Sequence, residues 1–274
     1  LLTLVALLAA SPAWAAPPGI GVSPLSSKVA APEPTRKALT IGIIGGVSWV
    51  SSLEYYRLMN QMVRDRLGPL HSANILMYSI EFGTFSEQER LAEAGDWRPL
   101  RETMRDAARR LKAGGADFIV IASNTMNSSA DDIEKNVGIP VLRIMDPTAR
   151  KIGERGLKKV ALLGTKYTME NPFWRDHVKA RYGIEVVTPT LAEREDINRI
   201  IFDELCADVV KEESRKRFLQ IIDRMVQEEK AEGVVLGCTE IPMLVKQADV
   251  GVPVFDTTVI HSEAAVNRSL GERR

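Results

Sequence analysis

From Leu39 onward, short apolar runs alternate with amphipathic stretches, the pattern of buried strands separated by helices. LTIGIIGG reads as a buried parallel strand that ends in a glycine turn. The further strand candidates are ANILMYSI, DFIVIAS, VLRIM, KVALLGT, IEVVT, GVVLGC and VPVFD, and helical stretches separate nearly all of them. This alternation predicts an α/β fold with mainly parallel strands. Ser51-Ser52-Leu53-Glu54 has the spacing of a capping box and predicts a helix start there. Leu53, Tyr56, Asn60, Val63 and Leu67 then recur every three or four residues and predict a mostly apolar helix face.

Three landmarks occur twice, in the same order. IGIIGG with Gly45 resembles VALLGT with Gly164, 119 residues later. FIVIASNT with Ser123 resembles GVVLGCTE with Cys238, 115 residues later. GIPVLRIMD with Pro140 resembles GVPVFD with Pro253, 113 residues later. Three pairs in register predict two pseudo-symmetric half-domains. The expected division is 38–148 plus 255–274 for the first and 149–254 for the second, with a final helix from about Asp256 packing back on the first half. Ligands of open α/β sheets bind beyond the carboxyl ends of the strands. Gly45, Ser123, Gly164 and Cys238 stand at such ends, so a cleft between the halves is the expected site, with Ser123 and Cys238 on its two sides.

The first residues follow another pattern. LLTLVALLAA is apolar, Ser11-Pro12 breaks it, and Ala13-Trp14-Ala15 supplies the small-x-small spacing of a signal-peptidase site. Residues 1–15 read as a signal peptide truncated at its start, cleaved after Ala15, which predicts a periplasmic or secreted protein with no membrane attachment after cleavage. Residues 16–37 are rich in Pro, Ala, Ser and Gly and read as a flexible linker.

Charge changes the picture by exclusion. Lys plus Arg number 36 and Asp plus Glu number 36, so no net field draws the chain to nucleic acid. His71, His177 and His261 show no ligand spacing and predict no metal site. His261, beside the final helix, reads as structural or surface. Neither GxxxxGK[ST] nor GxGxxG occurs, and IGIIGGVS reads as a strand-end turn with no nucleotide implied. Cys206 lies in IIFDELCADVV, a helical pattern, where a buried and inert thiol is expected. A disulfide between Cys206 and Cys238 is not expected.

The chemistry gathers at two turns. In GCTE (237–240) a strand ends, a glycine permits close approach, and Cys238 follows where a helix would begin, a position that lowers a thiol pKa. Backbone N–H groups and Thr239 there suit a carboxylate. Ser123-Asn124-Thr125 is its counterpart; the run is also simply a good helix start, and its pairing with Cys238 through the repeat is what makes it a candidate. Asn124 and Thr125 can donate to a bound carboxylate.

IGIIGGVSW with SSLEYYRLMN, HSANILMYSIEF, SNTM, VALLGTKYTME, INRIIFDEL, GCTEI and VFDTTVIH together resemble the aspartate/glutamate racemase family, from about Thr40 to Ala265. The nearest likeness is to its broad-specificity branch. The resemblance implies an amino-acid racemase that uses neither pyridoxal phosphate nor metal. Two residues flank the substrate α-carbon; one removes its proton and the other returns one to the opposite face. It assigns those roles to Cys238 and Ser123, α-carboxylate binding to Asn124, Thr125 and Thr239, and further cleft contacts to Thr165, Val47 and Ser48. A homodimer is compatible with it.

The sequence departs from the pattern in three places. Ser123 stands where a Cys is usual, and a hydroxyl is a far weaker acid, so one direction of proton transfer should suffer. Asn127 replaces the His of NTxH. Asp196 aligns with a Lys that pairs with the substrate's side-chain carboxylate, with Arg194 as a nearby substitute, and would set a like charge against an acidic substrate. The alternatives are a decarboxylase or isomerase of the same fold using Cys238 alone, and an exported protein that binds a small carboxylate without turnover.

Overall fold

The computed structural model describes residues 38–272; the expected signal peptide and linker lie outside them. Strands β1 (Ile41–Gly45), β2 (Ile75–Ser79), β3 (Phe118–Ile121) and β4 (Val141–Leu142) form one parallel sheet in the order β2-β1-β3-β4. Strands β5 (Lys159–Gly164), β6 (Glu185–Val187), β7 (Val234–Gly237) and β8 (Val254–Asp256) form a second in the order β6-β5-β7-β8. Adding four to each strand number turns one order into the other. The repeated landmarks are therefore topologically equivalent: Gly45 and Gly164 end the first strand of each sheet, and Ser123 and Cys238 follow the third.

The first half carries helices α1 (Trp49–Leu67), α2 (Phe82–Glu93), α3 (Arg98–Ala113) and α4 (Ala130–Val137). Then come α5 (Met145–Glu154), α6 (Lys166–Glu170), α7 (Pro172–Tyr182), α8 (Leu191–Asp203), α9 (Glu212–Gln227), α10 (Ile241–Leu244) and α11 (Thr257–Leu270). Among the described residues no helix is long and apolar enough to cross a membrane.

Both sheets are covered on both faces, which is why their strands read as unbroken apolar runs. Successive strand residues point to opposite faces. Ile41, Ile43, Phe118 and Val120 pack with Tyr55 and Met59 of α1 and Ala265 and Val266 of α11. Ile44, Ile119 and Ile121 pack with Leu100, Met104 and Ile133 of α3 and α4. In the second sheet Ala161, Leu163, Val234 and Leu236 meet α8 and α9, while Val160, Leu162 and Val235 meet α5 and α7 around fully buried Trp174. Burying each large side chain of this kind contributes about 1.5–3 kcal/mol. By sheet membership, the change between halves falls between β4 and β5, and α11, after Asp256, packs with the first sheet.

The final helix packs back on the first half as the sequence implied. Asp256 caps it by accepting from the N–H groups of Thr258 and Val259. His261 is fully buried and joins α1 to β4: the Tyr55 hydroxyl lies 2.9 Å from Nδ1, and Nε2 lies 2.7 Å from the Leu142 carbonyl oxygen. A carbonyl can only accept, so Nε2 carries the proton and Nδ1 accepts from Tyr55. Burial holds this imidazole neutral, with its pKa lowered to about 4.

Two local expectations change. Helix α1 begins earlier than the Ser51 capping box, because Ser48 is its cap and accepts from the Ser51 N–H. Ser51 and Ser52 instead face the sheet: Ser51 donates to the Ala122 carbonyl, and Ser52 Oγ accepts the Gly46 N–H. This rotates the buried stripe to Ser52, Tyr55, Met59 and Val63 and leaves Leu53 and Tyr56 exposed. The helical pattern around Cys206 also ends early. Glu204 turns inward to accept from the Ser214 hydroxyl at 2.6 Å, so α8 stops at Asp203 and a single 3-10 turn carries Cys206 to an exposed position.

Candidate active site

The carboxyl ends of β1, β3, β5 and β7 open into one cleft of about 480 Å³. The sequence candidates Val47, Ser48, Ser123, Asn124, Thr125, Thr165, Cys238 and Thr239 all line it. The strand ends can converge because glycines stand there. A Cβ on Gly237 would lie 3.0 Å from the Leu163 carbonyl oxygen, and one on Gly46, at φ +89°, only 2.1 Å from that of Ile80.

The thiol is not in the state that a helix start would give it. Helix α10 begins three residues after Cys238 and has only four residues. The nearer influence is Glu240. Cys238 Sγ donates to Glu240 Oε2 at 2.9 Å, and the Thr239 hydroxyl donates to the same oxygen at 2.7 Å. Enclosure of the sulfur pushes the thiol well above its ordinary value, and the Glu240 charge adds to the effect. The resting residue is therefore S–H held against a carboxylate. Glu240 Oε1 accepts from Ser48 Oγ at 3.1 Å, which ties the β1 turn to the β7 turn. Ser48 holds φ +82°, an uncommon conformation for a residue with a side chain, and one that recurs at working sites.

Ser123 is the other hydroxyl at an equivalent strand end. Its Oγ accepts the Met126 N–H at 3.3 Å, which leaves its own proton to donate. Asn124 is buried as a tie between elements: Nδ2 donates to Thr257 Oγ1 at 2.9 Å, and Oδ1 accepts from Trp174 Nε1 at 3.3 Å. Thr125 Oγ1 lies 3.2 Å from Thr165 Oγ1 and 2.9 Å from Thr168 Oγ1, a hydroxyl triangle that joins the halves. Asn127, in the place of the family's His, is fully committed to the backbone. It donates to the Ser123 carbonyl at 2.7 Å and accepts from the Ile144 N–H at 3.0 Å, so it braces the Ser123 turn from behind.

Asp196 is not among the residues that line the cleft. It lies on the α9 side of α8 and accepts from Arg217 at 2.9 Å. Two residues along a helix turn about 200°, so Asn198, with Ile201 and Phe202, faces the cleft. Arg194 also turns away, to Glu170 and the Pro189 carbonyl. Cys206 lines the cleft mouth as a free thiol; partial desolvation, with the Glu240 charge, pushes it up to about 11. Glu240, Lys166 and Phe202 are cleft residues that sequence reasoning passed over. Glu240 was legible, because a carboxylate two residues after a candidate thiol is within reach of it.

The Asp/Glu/hydantoin racemase family model matches residues 44–265. The chain belongs to the Asp/Glu/hydantoin racemase family. A Yersinia pestis structure described as a candidate Asp/Glu racemase is similar over 85% of this chain and 99% of its own, at 45% identity and a TM-score of 0.78. An aspartate racemase homologue from Pyrococcus horikoshii is 36% identical over 84% of this chain and 98% of its own, with a TM-score of 0.74. The broad specificity amino-acid racemase RacX of Bacillus subtilis is 22% identical over 62% of this chain and 73% of its own length. The cleft at the strand ends brings Cys238 and Glu240 on one turn and Ser123 on the other to the same space.

Proposed function

We propose that the protein is a cofactor-independent amino-acid racemase that moves the α-proton between Cys238 and Ser123, and that it is exported with cleavage after Ala15. The supporting observation is that these two residues follow equivalent strands, β3 and β7, and line one cleft. The α-ammonium of an arriving amino acid supplies the positive charge that Glu240 lacks in the resting cleft. That charge reverses the electrostatics that hold Cys238 protonated, because a neighbouring cation favours the charged form of a thiol. The thiol passes its proton to Glu240, the carboxylate it already donates to, and the thiolate then takes the α-proton, breaking C–H and forming S–H; Glu240 returns its extra proton to water when Ser123 is reprotonated. Ser123 gives its hydroxyl proton to the opposite face and regains one from water. In the reverse direction the roles exchange, and Ser123 is the weaker base.

The equilibrium constant between enantiomers is one, so kcat/KM must be the same in both directions. The asymmetry of the pair therefore falls on kcat and KM separately. Initial rates from each enantiomer, with α-deuterium incorporation in D₂O, test this. Unequal kcat values are expected, and Ser123→Cys raises kcat most from the slower enantiomer. Binding of amino acids with no exchange in any of them would replace this reading with a binding protein.

One observation favours a second reading. Both groups are protonated at rest, Cys238 against Glu240 and Ser123 with its proton free to donate. A decarboxylase needs only such a donor, and release of carbon dioxide from a malonate-type substrate without racemisation would identify it.

A further inference from the structure

We propose that the cleft selects amino acids with uncharged, apolar side chains and turns away aspartate and glutamate; this rests on the racemase reading of the same site. Among the described residues the charged side chains lining the cleft are Glu89, Glu240 and Lys166. Glu240 sits at the reacting thiol itself. The Lys166 ammonium is 3.6 Å from Glu195 Oε1, on the rim of α8. Among the described residues no arginine lines the cleft.

At the strand-end turns an α-carboxylate meets neutral donors, the threonine hydroxyls and backbone N–H groups, while the cation that lines the cleft, Lys166, already faces Glu195. A second carboxylate in the same cleft would lack the charged, bidentate partner that such groups need when desolvated, and would share the cleft with Glu240, an acid of its own sign.

The rest of the wall is suited to something else. Trp49 at the start of α1, Phe82 at the start of α2, and Ile201 and Phe202 on α8 bring apolar surface to the cleft from three elements. Trp49 is 69% exposed and Phe202 51% exposed, large apolar side chains open to solvent beside a polar floor. That is the composition of a pocket that buries an apolar group and orients it with a few polar contacts.

The test uses the mature protein and α-proton exchange in D₂O, followed by NMR, with L-leucine, L-methionine, L-aspartate and L-glutamate as separate substrates. The expected kcat/KM for leucine or methionine exceeds that for aspartate or glutamate by at least about 100-fold, the ratio that corresponds to the loss of one charged hydrogen-bonded pair. Phe202→Arg, a change at a half-exposed position, should narrow that ratio at least about tenfold by supplying the missing cation. Aspartate or glutamate exchanging as fast as leucine and methionine would overturn the selectivity and leave the racemase reading standing. So would a Lys166→Ala variant that loses aspartate exchange while keeping methionine exchange, since Lys166 would then be the partner held here to be missing. Absence of exchange with all four would remove the racemase reading itself, and the selectivity with it.

Discussion

Replacing Glu240 with Gln removes a negative charge 2.9 Å from the Cys238 sulfur while keeping a side chain of the same length. Two causes raise the thiol, enclosure first and the Glu240 charge second. Only the second disappears in the variant. A like charge at this distance is worth about one to three pK units, each of about 1.4 kcal/mol. Enclosure remains, so the thiol stays raised by that first cause. The fold should tolerate the change, because the amide oxygen can still accept from Thr239 and Cys238, and the Ser48 hydroxyl can turn to accept from the new NH₂. The assay is the pH dependence of alkylation by iodoacetamide, with modification at Cys238 and Cys206 read separately by mass spectrometry. The expected result is a Cys238 midpoint lowered by about one to three pH units. Cys206 provides an internal check: desolvation dominates its rise to about 11 and the Glu240 charge comes second, so its midpoint should fall by less. A Cys238 midpoint unchanged by Glu240→Gln would refute the claim that this carboxylate holds the resting thiol protonated.

Other outcomes follow from the same physics. His261 is neutral in the fold, with a pKa lowered from 6.5 to about 4, so its stabilising contribution is complete above pH 6.5 and is lost as the pH falls toward 4. The full gap corresponds to about 3 kcal/mol; urea unfolding at pH 7 and pH 4.5 should show a steeper loss in the parent than in His261→Gln, and equal slopes would remove the attribution. Asp196→Ala breaks a half-exposed pair with Arg217 outside the cleft, so it should cost at most about 1 kcal/mol and leave exchange kinetics within about twofold of the parent; a large change in substrate preference would contradict that placement. Mass spectrometry of protein from the periplasmic fraction should find Ala16 at the N-terminus, and finding only uncleaved chain in the cytoplasm would reject export.

Much of this architecture can be read from residues alone, and the reason is specific. Parallel strands buried on both faces carry runs such as GIIG and FIVI, and the repeat paired Ser123 with Cys238 without knowledge of any contact. What could not be read was rotation about an axis. In α1 two overlapping apolar stripes are present, and only the contacts of Ser51 and Ser52 with the strand ends select the one through Tyr55 and Met59. In α8 the side facing the cleft depends on Arg217 of α9, far along the chain, which draws Asp196 away. The thiol's protonation was misjudged for a similar reason. A helix start lowers a thiol, but at Cys238 a carboxylate two residues on and a short, late helix decide the outcome.

The most direct test of the central claim is deuterium wash-in at the α-carbon by the mature protein and by Cys238→Ala, each assayed with both enantiomers of an amino acid that the parent exchanges. Cys238 is only partly open, and among the described residues its side chain donates to Glu240, two positions on, so the variant should keep its secondary structure and thermal midpoint within a few degrees. The account predicts that conversion of either enantiomer into the other is abolished, because each direction must pass a proton through this thiol, and that wash-in is lost from the enantiomer whose α-proton Cys238 removes. Undiminished wash-in by a folded Cys238→Ala protein would contradict it.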